Sequence, residues 1–431
     1  MSIPGANISS DRRHFFMSSA QLEALEKKEA LEKDPLRQKI GSPIRAGGRV
    51  LNFELSGTSK AVLALGSHQA KVADLEIKEC KRSFVRHSGP VTSVAVMGES
   101  YLFEGSRIAL SAAWDKTVKV WTVDNPEKIL AVLVGHSDFV KCVEAHPSLP
   151  LVYTGSADKT IMMWRLPESA KDLLCADENN NNSNKAPIEI SPSKIIKGSH
   201  TGQIYTLCLD PSAETLYSAG SDASIRAWDA LTGKATEASA TANNNSDDDD
   251  WHIPRGQHQT NIFDIKATEN GLWTASADKT AIGWDIETCK ADLVLEHKTA
   301  VTSVLPIPQV GVVVTGTNGG VIYVWSISSG TPGIIREIHA HIDDVTCLKA
   351  AGRMFYSSGL DETLRVWDIK DVVEFKGGLE YVPSELADLK KQTPVSSANT
   401  KAGSSGNAGH SVLTEEEERE LAELMSDLDD L

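Results

Sequence analysis

The sequence predicts an all-β fold assembled from a repeated unit, and three observations lead there. An Asp precedes a Trp by six positions five times over, at Asp115/Trp121, Asp158/Trp164, Asp222/Trp228, Asp278/Trp284 and Asp361/Trp367. A sixth pair, Gly319/Trp325, keeps the interval without the acid, and a His stands roughly 20 to 28 residues before each of the six turns. The whole pattern recurs at about 40 residues, and a fixed short interval inside a looser long one marks a repeat architecture. Function is therefore expected in surfaces rather than in one active site.

The third copy shows the parts most clearly. His136 opens it, and Phe139-Val140-Lys141-Cys142-Val143 alternates apolar and polar as a half-buried strand does. Leu151–Ser156 is a second strand, begun after Pro150. Ala157-Asp158-Lys159-Thr160 is a turn in which the Asp supplies local hydrogen bonds. Ile161–Trp164 is a third strand. Ser-Ala-Asp-Lys-Thr recurs at 276–280, and Trp-Asp closes copies at 228–229, 284–285 and 367–368.

These residues resemble the WD-repeat family, from the Gly135-His136 start to the Trp-Asp end, over roughly residues 85–370. The resemblance implies a β-propeller in which each unit gives the outer strand of one blade and the three inner strands of the next. It also implies a buried polar set of His, hydroxyl, turn Asp and Trp indole. The sets are His136, Thr154, Asp158, Trp164; His200, Ser218, Asp222, Trp228; His258, Thr274, Asp278, Trp284; and His341, Ser357, Asp361, Trp367. His87, Ser111, Asp115 and Trp121 also fit. The sixth unit has His297, Thr315 and Trp325 but Gly319, so its set is incomplete and its turn is expected to be looser. Ser, His and Asp together also form a nucleophile–base–orienter trio. Five catalytic sites in one chain make no chemical sense, whereas five struts do, so no enzyme activity and no cofactor or metal are expected.

Seven blades are expected, the first degenerate. Arg49–Phe53, Ala61–Leu65 and Lys71–Ile77 are strand-like runs at the right spacing, with Ala73-Asp74 where Trp-Asp would stand. Two segments compete to close the ring, Val372–Phe375 and residues 38–46. The propeller is set at 36–382. Two polar insertions, 167–193 and 235–250, rich in Asn and Asp, are expected to be disordered.

The chain has 431 residues and a net charge of −16. Four Asp at 247–250 and nine acids against Arg419 in 411–431 supply most of it. No concentrated basic stripe is present, so direct nucleic-acid binding is not expected. No apolar run is long enough to span a membrane. The six Cys show no metal-ligand spacing, and Cys142, Cys208 and Cys347 read as small core residues at matching first-strand positions. A reducing compartment, cytoplasm or nucleus, is expected.

The flanks divide into an arm at 1–17, a helix at 18–34 with Ser18 and Gln21 at capping-box spacing, a short helix and linker at 383–411, and an acidic amphipathic helix at 412–431. In the last, Leu421, Leu424, Met425, Leu428 and Leu431 line one face, which suits a partner-binding element; a solubilising tail is the plainer alternative.

Protein partners, not small-molecule substrates, are thus expected, and a scaffold or adaptor is the leading reading. In the family, the top rim and channel mouth dock peptides. By position the candidates are Trp114, Phe139, Gln203, Asn261 and Asp343, with Ala157, Ser221 and Ala277 beside them, and Trp114 reads as an exposed anchor. Two alternatives stand. One is a substrate receptor of a cullin-type ubiquitin ligase, for which Trp367-Asp368-Ile369-Lys370 is near the expected Trp-Asp-x-Arg. The other is a subunit of a ribonucleoprotein or RNA-processing machine.

Overall fold

The computed structural model describes residues 31, 33–169, 173, 187–198, 200–236, 257–269, 271–286, 288, 290–327, 331–375 and 380. Among them are seven sheets. Blade 1 comprises Val50–Ser56, Lys60–Leu65, Gln69–Asp74 and Glu79–Arg86. Blades 2 to 7 begin with Val91–Val96, Val140–Ala145, Ile204–Leu209, Ile262–Thr268, Val301–Ile307 and Val345–Ala351. Each first strand lies beside the next, and that of blade 7 lies against that of blade 1, so the ring is closed. The first strands line its channel. The end carrying the His residues and the Asp turns is called the top here.

Seven apolar clusters fill the seven interfaces between blades, one each. The cluster between blades 2 and 3, for example, joins Leu110 and Val120 to Val140, Val143 and Trp164. No blade buries both of its faces alone, so stability belongs to the stacked ring. Blade 1 keeps this packing through Val62, Leu63 and Phe53, all at 0% exposure, although its polar set is absent.

The seam is closed by the N-terminal side. Ile44–Arg45 pairs antiparallel with Thr363–Asp368 as the outer strand of blade 7. Arg365, 1% exposed, donates to the carbonyls of Arg37 and Ile40 at 2.8 and 2.6 Å. Gly41 has φ +68°, and a Cβ there would stand 2.6 Å from the Trp367 ring, so only glycine fits. The competing candidate is corrected: Ile369–Glu374 is a helix, capped by the Asp368 side chain, which accepts from the Lys370 and Asp371 N–H groups.

The insertion at 167–193 also needs correction. Ile188–Ile190 forms a strand parallel to Ile129–Val134, covering the outer edge of blade 2, and Leu173 is buried between blades 2 and 3. The alternation Ile188-Glu189-Ile190 supplies an apolar face, and an open sheet edge offers unpaired backbone groups to it. Lys194–Ile196 is the outer strand of blade 3. The arm at 1–17, all but the end of the 18–34 helix, the interiors of both insertions, the 383–411 segment and the 412–431 helix lie outside the described residues. Among the described residues no helix is long and apolar enough to cross a membrane.

Candidate functional site

In five blades the polar set closes as one network. His Nδ1 lies 2.7–3.0 Å from the turn Asp in His87, His136, His200, His258 and His341. A carboxylate only accepts, so Nδ1 carries the hydrogen and Nε2 accepts from the Ser or Thr hydroxyl. In blade 3 that hydroxyl, Thr154 Oγ1, is 2.7 Å from His136 and accepts the Trp164 indole N–H at 2.9 Å. Asp158 also accepts from the Ser137 N–H, the Thr160 N–H and the Thr160 hydroxyl.

Burial alone would push the Asp158 carboxyl up, but the donors from His136 and Thr160 outweigh it and hold it well below the usual range. Burial lowers the His87 and His341 pKa despite their Asp partners, favouring the neutral ring. The hydroxyls Ser111, Thr154, Ser218, Thr274 and Ser357 are all at 0% exposure. Their hydrogens are committed to His. These trios are struts by geometry, not nucleophiles.

Blade 6 solves the missing Asp differently. His297 Nδ1 donates to the Leu295 carbonyl at 3.0 Å, while Nε2 lies 2.8 Å from the Thr315 hydroxyl. Asp344 of blade 7 reaches back to accept the Gly319 N–H at 3.0 Å. Gly319 and Gly320 have φ of +96° and +80°. The set is incomplete, as its residues imply, but its turn is tied to the next blade instead. Burial pushes the His297 pKa down to about 4.

The channel mouth shows a second pattern, which the sequence did not signal. Every first strand carries a register shift between its first and third residues. Such a bulge re-aims one side chain. The residues so placed are Leu51, Thr92, Lys141, Tyr205, Phe263, Thr302 and Thr346. The three threonines fasten neighbouring blades. Thr92 donates to the Val140 carbonyl at 2.6 Å, Thr346 to the Val50 carbonyl at 2.8 Å, and Thr302 to the Val345 carbonyl.

Lys141, Tyr205 and Phe263 stand at the same position in blades 3, 4 and 5 and belong to an aromatic arc across blades 2 to 5. Trp114 stacks on Phe139 with centroids 4.8 Å apart and planes 14° apart. The Lys141 ammonium lies 5.2 Å from the Trp114 ring centroid, 6.0 Å from Phe139 and 5.9 Å from Tyr205. Tyr205 and Phe263 continue the arc at 5.9 Å. All five residues are half-buried. Trp114 is therefore not the freely exposed anchor its sequence position suggests; it is half of a stack. Its indole N–H has no acceptor among the described residues, which costs about 1–3 kcal/mol.

Among the other position-based candidates, Gln203 and Asn261 hold the place of Phe139 in the next two blades. Their carbonyls accept from the Ser221 and Ala277 N–H groups, as that of Phe139 does from Ala157. Asp343 does not hold that place. The Leu360 N–H bonds to Asp344 O, so Asp344 fills it and Asp343 stands one residue earlier. Cys208 is likewise corrected: Cys142 and Cys347 are third in their strands, whereas Cys208 is fifth. Leu421, Leu424, Met425, Leu428 and Leu431 lie outside the described residues. Asp368, whose carboxylate binds Arg353 and caps a helix, is already committed, which weakens the ligase-adaptor motif at Trp367–Lys370.

Charged residues occupy the channel's lower end. Lys349 pairs with Glu54 at 2.6 Å and Lys266 with Asp264 at 2.8 Å. Burial pushes the nearby Glu144 carboxyl up to about 7, against the pull of Lys349. Among the described residues no His, Cys, Asp and Glu cluster has metal-binding geometry.

The sequence profile described as WD domain, G-beta repeat matches residues 78–122, 127–165, 191–229 and 333–368. Each match runs from the outer strand of one blade through the inner strands of the next. An uncharacterized WD repeat-containing protein of Schizosaccharomyces pombe is 28% identical over 430 residues, covering 96% of this chain and 98% of its own. A ribosome biogenesis protein WDR12 homolog of Oryza sativa subsp. japonica is 24% identical over 310 residues, 67% of this chain and 66% of its own. Mitochondrial division protein 1 of Saccharomyces cerevisiae is 26% identical over 232 residues, 54% of this chain and 27% of its own.

Proposed function

Because this chain belongs to the WD-repeat family, we propose that it is a protein-interaction scaffold whose partner docks at the channel mouth over blades 2 to 5. The observation that carries the reading is the arc Trp114–Phe139–Lys141–Tyr205–Phe263. Half-buried aromatic and cationic side chains are the residue types that dominate interface energies. Three of them stand where other blades place a stabilising Thr. The struts below hold these positions rigid, so a partner meets a preformed surface. The test is quantitative affinity purification of the full chain beside the variant Trp114→Ala/Tyr205→Ala. Loss of a stoichiometric partner with thermal unfolding unchanged supports the reading; an identical partner set contradicts it.

A second reading has one specific support. The rice relative's printed name places that protein in ribosome biogenesis, and a scaffold within such an assembly is compatible with this propeller. Its partner would again be a protein, since the chain's charge disfavours direct contact with phosphate backbones. Co-sedimentation of the full chain with pre-ribosomal particles tests it; sedimentation only as free protein counts against it. A chain ending at residue 410 in the same purification asks separately whether Leu421–Leu431 recruit a partner.

A further inference from the structure

We infer that the occupant of the aromatic arc is a peptide segment carrying apolar side chains flanked by carboxylates. The inference rests on the docking reading above and adds the chemistry of the partner. Two observations select it. First, Lys141 stands at the centre of the arc, within reach of three rings, so a partner laying an apolar side chain across Trp114 and Tyr205 brings its neighbouring residues against an ammonium group. A cationic guest, which aromatic faces would otherwise attract, is repelled there.

Second, among the described residues the position after the turn Asp is an exposed lysine in three of the four blades that carry the arc. The residue after the turn Asp is Lys116 in blade 2, Lys159 in blade 3 and Lys279 in blade 5, each exposed at the top rim. The turn acids beside them face inward, while Glu296, opposite Thr280 at the outer strand of blade 5, is exposed. Asp115, Asp158 and Asp278 have side chains only 10%, 7% and 9% exposed and are engaged by their His partners. Asp138 accepts from the Phe139 N–H. Among the described residues, a partner touching the turns of blades 2 and 3 therefore meets ammonium groups, with the turn carboxylates behind them. The opposite side differs, since blade 7 places Glu362 at the same turn position.

That Glu362 also supplies a safe variant. It has φ +64°, close to +68° and +66° at Lys116 and Lys159, so this turn accepts Glu. The experiment uses the full chain and three pools of short synthetic peptides, each with a Phe and a Leu, flanked by Asp and Glu, by Lys and Arg, or by Ser and Asn. Binding is read by fluorescence polarisation. The acidic pool is expected to bind at least about ten-fold tighter than the basic pool and to weaken several-fold as salt is raised. Lys116→Glu/Lys159→Glu is expected to remove that preference while leaving thermal unfolding unchanged, and Lys141→Met to weaken the acidic pool selectively. Equal binding of all pools, preference for the basic pool, or no binding by any pool overturns the inference. The outcomes separate the two layers: if Trp114→Ala/Tyr205→Ala abolishes binding that is indifferent to charge, the docking surface stands and the carboxylate chemistry falls. If that variant changes nothing, the docking reading falls with it.

Discussion

Thr92, Thr302 and Thr346 stand at the same bulge in their strands as Lys141, Tyr205 and Phe263, but the two groups differ in chemistry and contacts. Each threonine fastens its blade to the first strand of the next. The other three place large side chains in the aromatic arc. Under the proposed function, one structural position serves stability on one side of the ring and recognition on the other. A ring of like units can vary this residue from blade to blade because the struts and the interface clusters still hold those blades.

The comparison can be broken from below by removing what both halves share. Asp158→Ala strands donors from His136, Ser137 and Thr160, and is expected to cost on the order of 3 kcal/mol, measured by urea unfolding. An unchanged midpoint would mean that the struts do not hold the blades. A smaller effect separates the halves themselves. Thr302→Val keeps the shape but leaves the Val345 carbonyl without its side-chain donor, for a loss of about 1–2 kcal/mol; no loss would remove the latch from the account.

Blade 6 gives a sharper case. Gly319→Asp restores the sequence pattern, but φ there is +96° and the next blade's Asp344 already holds the turn. The change is expected to destabilise by about 1 kcal/mol, whereas a gain in the same unfolding assay would show that the missing strut was a defect. The smallest effect concerns pH. Glu144 keeps its proton to about 7 when folded, against 4.5 as the ordinary value. Between these the folded chain binds more protons than the unfolded one, so stability falls as pH rises through that window. Glu144→Gln removes this decline, and its advantage over the parent is expected to grow from pH 5 to pH 8. A constant difference across that range would contradict the raised Glu144 carboxyl.

The struts were legible because the turn and third strand between Asp158 and Trp164 admit one length, so the interval repeats undisturbed. The ring closure was legible only as two alternatives, since Ile44–Arg45 is too short to show a strand period. The arc was legible in part. Trp114 and Phe139 stand out by type, but Tyr205 and Phe263 read as ordinary strand residues, because a bulge shifts the facing by one residue without marking the alternation. Asp343 was placed one residue early for a related reason, since two adjacent acids precede Val345 and only the backbone bond from Leu360 distinguishes them. The tie from Asp344 to Gly319 joins two blades, and spacing within one unit carries no information about it.

The most direct measurement exchanges the two halves. Tyr205→Thr/Phe263→Thr installs the latch residue in blades 4 and 5, and the full chain is then followed by thermal unfolding and by quantitative partner capture. The account predicts an unfolding temperature unchanged or slightly raised, with partner recovery reduced by about ten-fold. Retained partners, or a loss of stability as large as that of Thr302→Val, would contradict it.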